Sequence, residues 1–350
     1  MKQKKRVLQG MRPTGTLHLG NYFGTAKGML ALQEDPDYET YYMVADLHGI
    51  TTPFDPEKIN INSRSVIVDY LSVGLDPNKS AIFIQSDLAD LHTQLAFYFS
   101  AVVTVARMQH LPTFKEKVKQ YPNNATMALL NYPVLMAADI LIYKAEMVPV
   151  GLDQEPHMEI TREIARKMNS EYNTDFPEPQ RFKSKGEYVP SLLGEGKMSK
   201  SVEGSYINLI DDLETIREKL AKVPTDSGRG YIKNGFYISQ TAVPRGVGIV
   251  AESGGLKTLM YFIELFEGKE KREEYEKKYV GEGIRYKELK DNLAEAIYKD
   301  LEPIREKRKE LEAKPEYVDE VIRIGGEKAR KLAQITINEV KEKMGLRGGL

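Results

Sequence analysis

The chain has 350 residues, room for about two domains with full cores. Its 50 basic side chains nearly cancel its 51 acidic ones, so a net charge of −1 creates no global attraction to nucleic acid and leaves any such contact to local clusters. There is no cysteine, which excludes disulfides, thiol catalysis and cysteine-held zinc or iron–sulfur centres. The charged start Met1-Lys2-Gln3-Lys4-Lys5-Arg6 leads into a short apolar run rather than a secretory core, and no apolar run approaches the ~20 residues of a membrane span. The expected location is the cytoplasm, with no membrane partner. Abundant Lys and Glu hint at a thermophilic source.

The first half alternates short apolar runs with longer amphipathic ones. It predicts strands over 6–10, 41–46, 81–85 and 147–151, and helices over 19–33, 56–73, 91–107, 126–143 and 154–169. Such alternation indicates parallel βαβ units, whose ligands bind at the carboxyl ends of the strands. Pro13-Thr14-Gly15, Asp46-Leu47-His48, Gln85-Ser86-Asp87 and Gly151-Leu152-Asp153-Gln154 follow the four strands in turn. Residues 108–124 interrupt the alternation as an insertion. From about 205 the texture changes to long charged helices, predicted over 211–222, 256–267, 269–279, 286–314 and 317–344. The Gly-, Ser- and Pro-rich segment 225–255 receives no assignment. The expected architecture is α/β: a Rossmann-like parallel-sheet catalytic domain over 1–205 and an α-helical domain over 206–350. The last helix is a candidate to pack back on the catalytic domain.

Two short motifs carry chemistry. Pro13-Thr14-Gly15-Thr16-Leu17-His18-Leu19-Gly20-Asn21 sits at a strand-to-helix turn. Glycines there let the backbone approach phosphates, and a helix N-terminus offers N–H groups to an anion. Lys197-Met198-Ser199-Lys200-Ser201 places two ammonium groups three residues apart between glycine turns, fit to neutralise charge on a departing pyrophosphate. Taken singly, the first is ordinary turn punctuation and the second a solvated loop. Of the five histidines, His18 is the best catalytic candidate. His92, His110 and His157 lack metal-ligand partners at helical spacing and read as structural or surface residues. No cluster reads as a permanent metal site.

Tyr132, Met136 and Asp139 fall at i, i+4 and i+7, on one helix face. Asp139 lies within the almost wholly apolar run 135–142, where an unpaired carboxylate is costly, so it requires a specific donor.

Together the two motifs resemble the signature pair of class I aminoacyl-tRNA synthetases, with His18-Leu19-Gly20-Asn21 at the HIGH position and 197–201 an unaltered KMSKS. Asn at the fourth HIGH position is usual in one branch of that family. Within it the chain is similar to the tryptophan branch over most of 5–222 and more loosely over 256–346. The resemblance implies activation of L-tryptophan with ATP, Mg²⁺ arriving with the nucleotide, and transfer to tRNA(Trp) by a homodimer paired through the 108–124 region. It implies an ATP site of Arg12, Pro13, Thr14, Gly20, Asn21, Gly151, Leu152, Asp153 and Val189, together with Lys197, Met198, Ser199, Lys200 and Ser201. Arg12 departs from the Gln of many bacterial members. His18, Asn21, Lys117, Lys197 and Lys200 would be catalytic at the phosphates. Leu8, Gly10, His48, Tyr132, Met136, Val148 and Val150 would form the indole pocket, with Gln154 on the substrate ammonium and Asp139 on the indole N–H. The helical half would meet the tRNA anticodon stem. The alternative is a tyrosine enzyme, against which Leu8 and Met136 stand as apolar residues where polar ones suit a phenol. An idle RNA-binding paralogue fits the intact motifs poorly, and a small nucleotidyltransferase has no use for the helical half.

Overall fold

The computed structural model describes residues 4–182, 188–200, 202–240 and 253–347. The first half runs β1 (Lys5–Met11), α1 (Lys27–Glu34), β2 (Tyr38–Val44), α2 (Pro56–Ser72), β3 (Ala81–Ile84), α3 (Ala89–Ser100), α4 (Pro112–Gln120), α5 (Met127–Leu141), β4 (Met147–Val148), α6 (Glu155–Tyr172) and β5 (Gln180–Arg181). Then come α7 (Leu213–Ala221), β6 (Gly230–Lys233), β7 (Phe236–Ser239), α8 (Gly254–Glu267), α9 (Lys269–Val280), α10 (Tyr286–Asp300), α11 (Glu302–Glu312) and α12 (Pro315–Lys343), with short helical turns between. Contacts divide the chain into two compact units. One comprises Met1–Gly15, Thr25–Glu187 and Glu310–Leu350; the other comprises Thr16–Gly24 and Tyr188–Lys309. The chain thus changes unit at 15/16, 24/25, 187/188 and 309/310; from sequence a boundary was expected at 205/206, with the last helix a candidate to return to the first domain.

The first unit is built on a five-stranded sheet of order β3-β2-β1-β4-β5 in which every pair is parallel. Val7 and Leu8 of β1 and Tyr41–Val44 of β2 are buried, as parallel strands covered on both faces require. β5 lay outside every sequence expectation: two residues carry no readable alternation. α2 starts where Asp55 accepts from the Glu57 N–H with Pro56 in the first turn, and α5 starts where Thr126 accepts from the Leu129 N–H. α12 packs directly on β3, one of the two edge strands. A Cβ on Gly325 would come within 1.9 Å of the Ile82 carbonyl oxygen, so only glycine lets helix and strand approach this closely. Ala329, Ala333, Ile337 and Val340 continue the buried face of α12.

The second unit holds α7 to α10 and the β6–β7 hairpin. The hairpin falls in the segment left unassigned from sequence, and its two-residue turn is Asn234-Gly235, both at positive φ (52° and 78°). Asp226 accepts from the hydroxyls of Tyr279 and Tyr286 at 2.7 and 2.6 Å and anchors the hairpin's approach. The helix expected over 286–314 is broken at Leu301. In one continuous helix Pro303 would leave the Lys299 carbonyl without a donor and clash with it, so α11 restarts with Pro303 in its first turn. The helix expected over 19–33 is interrupted by a π-helical turn at Tyr22–Ala26, across the Gly24/Thr25 change of unit.

Candidate active site

In the first unit a cavity of about 450 Å³ opens at the carboxyl ends of β1, β2 and β4. This is where an open parallel sheet places ligands. β1 contributes Leu8 and Gly10 with Arg12 beyond it, β2 contributes Met43 followed by Ala45 and His48, and β4 contributes Val148 followed by Val150. α5 supplies Tyr132, Met136, Asp139 and Ile140, α6 supplies His157, and α4 supplies Thr113, Glu116 and Lys117.

The closed end is a hydrogen-bonded cluster. Asp139 Oδ2 lies 2.7 Å from His48 Nε2, and its Oδ1 takes Gln85 Nε2 and His92 Nδ1, each at 2.6 Å. Burial alone would raise the Asp139 pKa, but the two imidazoles outweigh it and hold the carboxylate at about 2. An ionised Asp139 accepts from the His92 Nδ1–H, and His92 Nε2 then faces the Tyr143 hydroxyl at 2.8 Å. Gln85 Oε1 in turn accepts from the Leu47 N–H at 3.1 Å, next to His48.

A second cluster faces the cavity from α6. His157 Nδ1 is 3.0 Å from Gln154 Oε1, while its Nε2 lies 2.7 Å from the Tyr132 hydroxyl and 2.8 Å from Thr113 Oγ1. Burial lowers the His157 pKa to about 4, against the nearby Asp153 carboxylate and with help from His48. The neutral ring therefore donates from Nδ1 to Gln154 and offers one acceptor lone pair at Nε2 to the Tyr132 and Thr113 hydroxyls. Arg12 Nη2 donates to Thr52 Oγ1 at 2.9 Å, and Lys117 Nζ to Gln120 Oε1 at 2.8 Å. Burial lowers both pKa values, and for Lys117 the Arg12 charge adds to it.

The second unit joins motifs 178 residues apart: the Gly20 N–H points at Met198 Sδ, 3.3 Å away. A Cβ on Gly20 would come within 2.8 Å of His18 Cε1 and 3.2 Å of Met198 Cβ, which explains the glycine. Asn21 Oδ1 accepts from the His18 N–H at 3.2 Å, and Lys200 Nζ donates to the Thr16 carbonyl. Burial first, then the Lys200 and Lys197 charges, lower the His18 pKa to about 4. The Met198 N–H donates to the Val189 carbonyl at 2.9 Å.

Of the residues named from sequence, Leu8, Gly10, Arg12, His48, Lys117, Tyr132, Met136, Asp139, Val148, Val150, Asp153 and Gln154 line the one cavity. Pro13, Thr14, Gly151 and Leu152 belong to the same unit but not to its lining, and Leu152 is exposed. His18, Gly20, Asn21, Val189, Lys197, Met198, Ser199 and Lys200 gather in the second unit, and Ser201 lies outside the described residues. Three readings change. His157, taken as structural or surface, lines the cavity. The donors that Asp139 required are three protein side chains rather than a ligand alone. Arg305, in the helical half expected to meet RNA and a residue whose change would test that expectation, is 8% exposed, with its guanidinium 3.7 Å over the Tyr298 ring.

A family model described as tRNA synthetases class I (W and Y) matches residues 1–302. The chain belongs to that family. It is 39% identical over 344 residues to a tryptophan--tRNA ligase of Porphyromonas gingivalis, spanning 97% of this chain and 99% of the relative. It is 38% identical to one of Chlamydia caviae, spanning 97% and 95%. Among solved structures, the Campylobacter jejuni tryptophanyl-tRNA synthetase complexed with ADP and tryptophan superposes with a TM-score of 0.83 at 32% identity, covering 97% of this chain and all of that one. For a member of this family, sequence reasoning missed Met43, Ala45, Thr113 and Glu116 in the cavity, and Gln85 and His92 behind it. Only Gln85, at a predicted strand end, carried a usable signal.

Proposed function

We infer that this enzyme activates L-tryptophan with ATP, forming tryptophanyl-adenylate and pyrophosphate, and then transfers the tryptophanyl group to the 3′ end of tRNA(Trp) with release of AMP. The observation that carries this reading is the cavity of the first unit: an apolar slot at the sheet's carboxyl edge, closed by one ionised carboxylate. An indole is an apolar double ring with a single N–H donor, and Asp139 has acceptor capacity left on Oδ2. A phenol hydroxyl would enter between Leu8 and Met136 without partners there.

Activation needs the tryptophan carboxylate to attack the α-phosphorus in line, so the protein's work is positioning and charge. The Tyr132 hydroxyl oxygen, with Gln154, would hold the substrate ammonium. Arg12 and Lys117 would meet phosphate oxygens, and the neutral His18 would donate one N–H to them. Lys197 and Lys200 would offset charge on the departing pyrophosphate. Pro13, Thr14, Gly20, Asn21, Gly151, Leu152, Asp153, Val189, Met198, Ser199 and Ser201 would complete the nucleotide site. Mg²⁺ would arrive with the ATP phosphates.

The α-helical residues of 206–350 would take the anticodon stem. Protein synthesis puts the enzyme in the cytoplasm. Phe97, Val105 and Met127, which flank the insertion, are 76%, 60% and 73% exposed, an apolar area suited to a homodimer. Sedimentation at micromolar concentration should give a dimer; a fully active monomer would overturn that part. ATP–pyrophosphate exchange with each amino acid singly tests the whole: only tryptophan should support it, and exchange with tyrosine instead would sink the reading.

A further inference from the structure

The fourth side of the Asp139 cluster leads away from the cavity to the last helix of the chain. Gln85 is fully buried, and its amide does two things at once: Nε2 donates to Asp139 Oδ1 at 2.6 Å, and Oε1 accepts from the Leu47 N–H at 3.1 Å. Gln85 opens the 3₁₀ turn Gln85–Leu88. The same turn gives its Ser86 N–H to Asp46 Oδ1 at 2.9 Å, so it also fixes the loop that presents His48. From the other side Arg330 of α12 grips that turn. Its Nη2 donates to the Asp87 carbonyl at 2.7 Å, and its fork closes on both oxygens of Asp90 at 2.7 and 2.8 Å. A bidentate guanidinium fixes direction as well as distance, which a single ammonium cannot do. The grip has firm support, because Gly325, five residues earlier on α12, seats the helix against the Ile82 carbonyl.

We propose that Arg330 and Gln85 are positioning residues for tryptophan: the C-terminal helix, through Arg330 and the Gln85–Leu88 turn, holds Asp139 and His48 in the geometry that receives the indole. This rests on tryptophan occupying the cavity of the first unit. Neither residue touches substrate. Their effect is on how tightly the amino acid binds, because a carboxylate displaced by a fraction of an ångström gives up its hydrogen bond to the ligand.

The chain has no tryptophan of its own, so the fluorescence of added L-tryptophan reports binding without an indole background. Arg330→Ala should weaken tryptophan binding about fivefold and raise its KM in pyrophosphate exchange to match, with KM for ATP and kcat within about twofold. Arg330→Lys, which keeps one donor for the Asp87 carbonyl, should recover part of the loss. Gln85→Met should weaken binding further, and adding Arg330→Ala to it should change nothing more, since the relay is already cut. Wild-type tryptophan affinity in Arg330→Ala overturns the proposal, as does equal loss for ATP and tryptophan or full additivity in the double variant. If the wild-type enzyme neither binds nor activates tryptophan, the functional reading itself fails, before any variant is compared.

Discussion

Around Asp139, polar side chains meet one another directly: His48, His92 and Gln85 converge on two carboxylate oxygens at 2.6–2.7 Å, all buried or nearly so. The motif pair of the second unit is held differently. Met198 hangs on backbone bonds and a glycine contact, Lys197 is exposed, and Gly194, Gly196 and Gly204 around the loop all sit at positive φ. A recognition pocket needs its acceptor fixed before the ligand arrives, whereas groups that act on developing charge need only be carried to it. The first region is therefore expensive to disturb in stability and the second in rate.

The largest expected effect lies in the pocket. Asp139→Ala strands three donors in a buried site and should lower stability by about 3–5 kcal/mol, seen as a large drop in thermal midpoint. A midpoint within a degree of wild type would mean the cluster is not cooperative. Lys200→Ala should do the reverse: adenylate formation slows by about 10²–10³ in single turnovers, while tryptophan binding and the thermal midpoint stay put. Equal losses in binding and rate would erase the distinction between the two regions.

Acid should act on both units, since the pKa values of His157 in the first and His18 in the second are each lowered to about 4. His157 has a folded pKa of about 4 and an ordinary one near 6.5, so the fold favours its neutral form. That contribution is complete above about pH 6.5 and is lost as pH falls towards 4, amounting to about 3 kcal/mol. Thermal midpoints of wild type and His157→Gln, compared from pH 7 to pH 4, should show the smaller fall in the variant. Parallel curves would place the sensitivity elsewhere. The smallest effect is Gly20→Ala: a methyl group pressed on His18 and Met198 should cost about 1–3 kcal/mol and slow exchange without touching tryptophan affinity.

Local patterns made some of this legible in advance. Strand ends pointed to the cavity because parallel sheets bind at their carboxyl edge, and an acid inside the run 135–142 announced that it needed donors. Which donors they were could not be read, since His48, His92 and Gln85 lie 91, 47 and 54 residues away. His157 looked ordinary for the same reason: its partners Tyr132 and Thr113 come from other helices. The Asn234-Gly235 hairpin was readable and was passed over, because Tyr231, Ile232, Tyr237 and Ile238 alternate weakly among glycines and serines. Pro303 likewise marked the break between α10 and α11.

The seat of α12 on β3 has a consequence for how the chain is made. A ribosome releases β3 about 230 residues before α12, so during synthesis this edge strand waits, with the face meant for Gly325 and Ala329 bare, while the second unit is still being made. The first unit cannot finish folding as it emerges. A nascent chain stalled before α12 should remain protease-sensitive around Ala81–Ile84 and should be the species most in need of a chaperone.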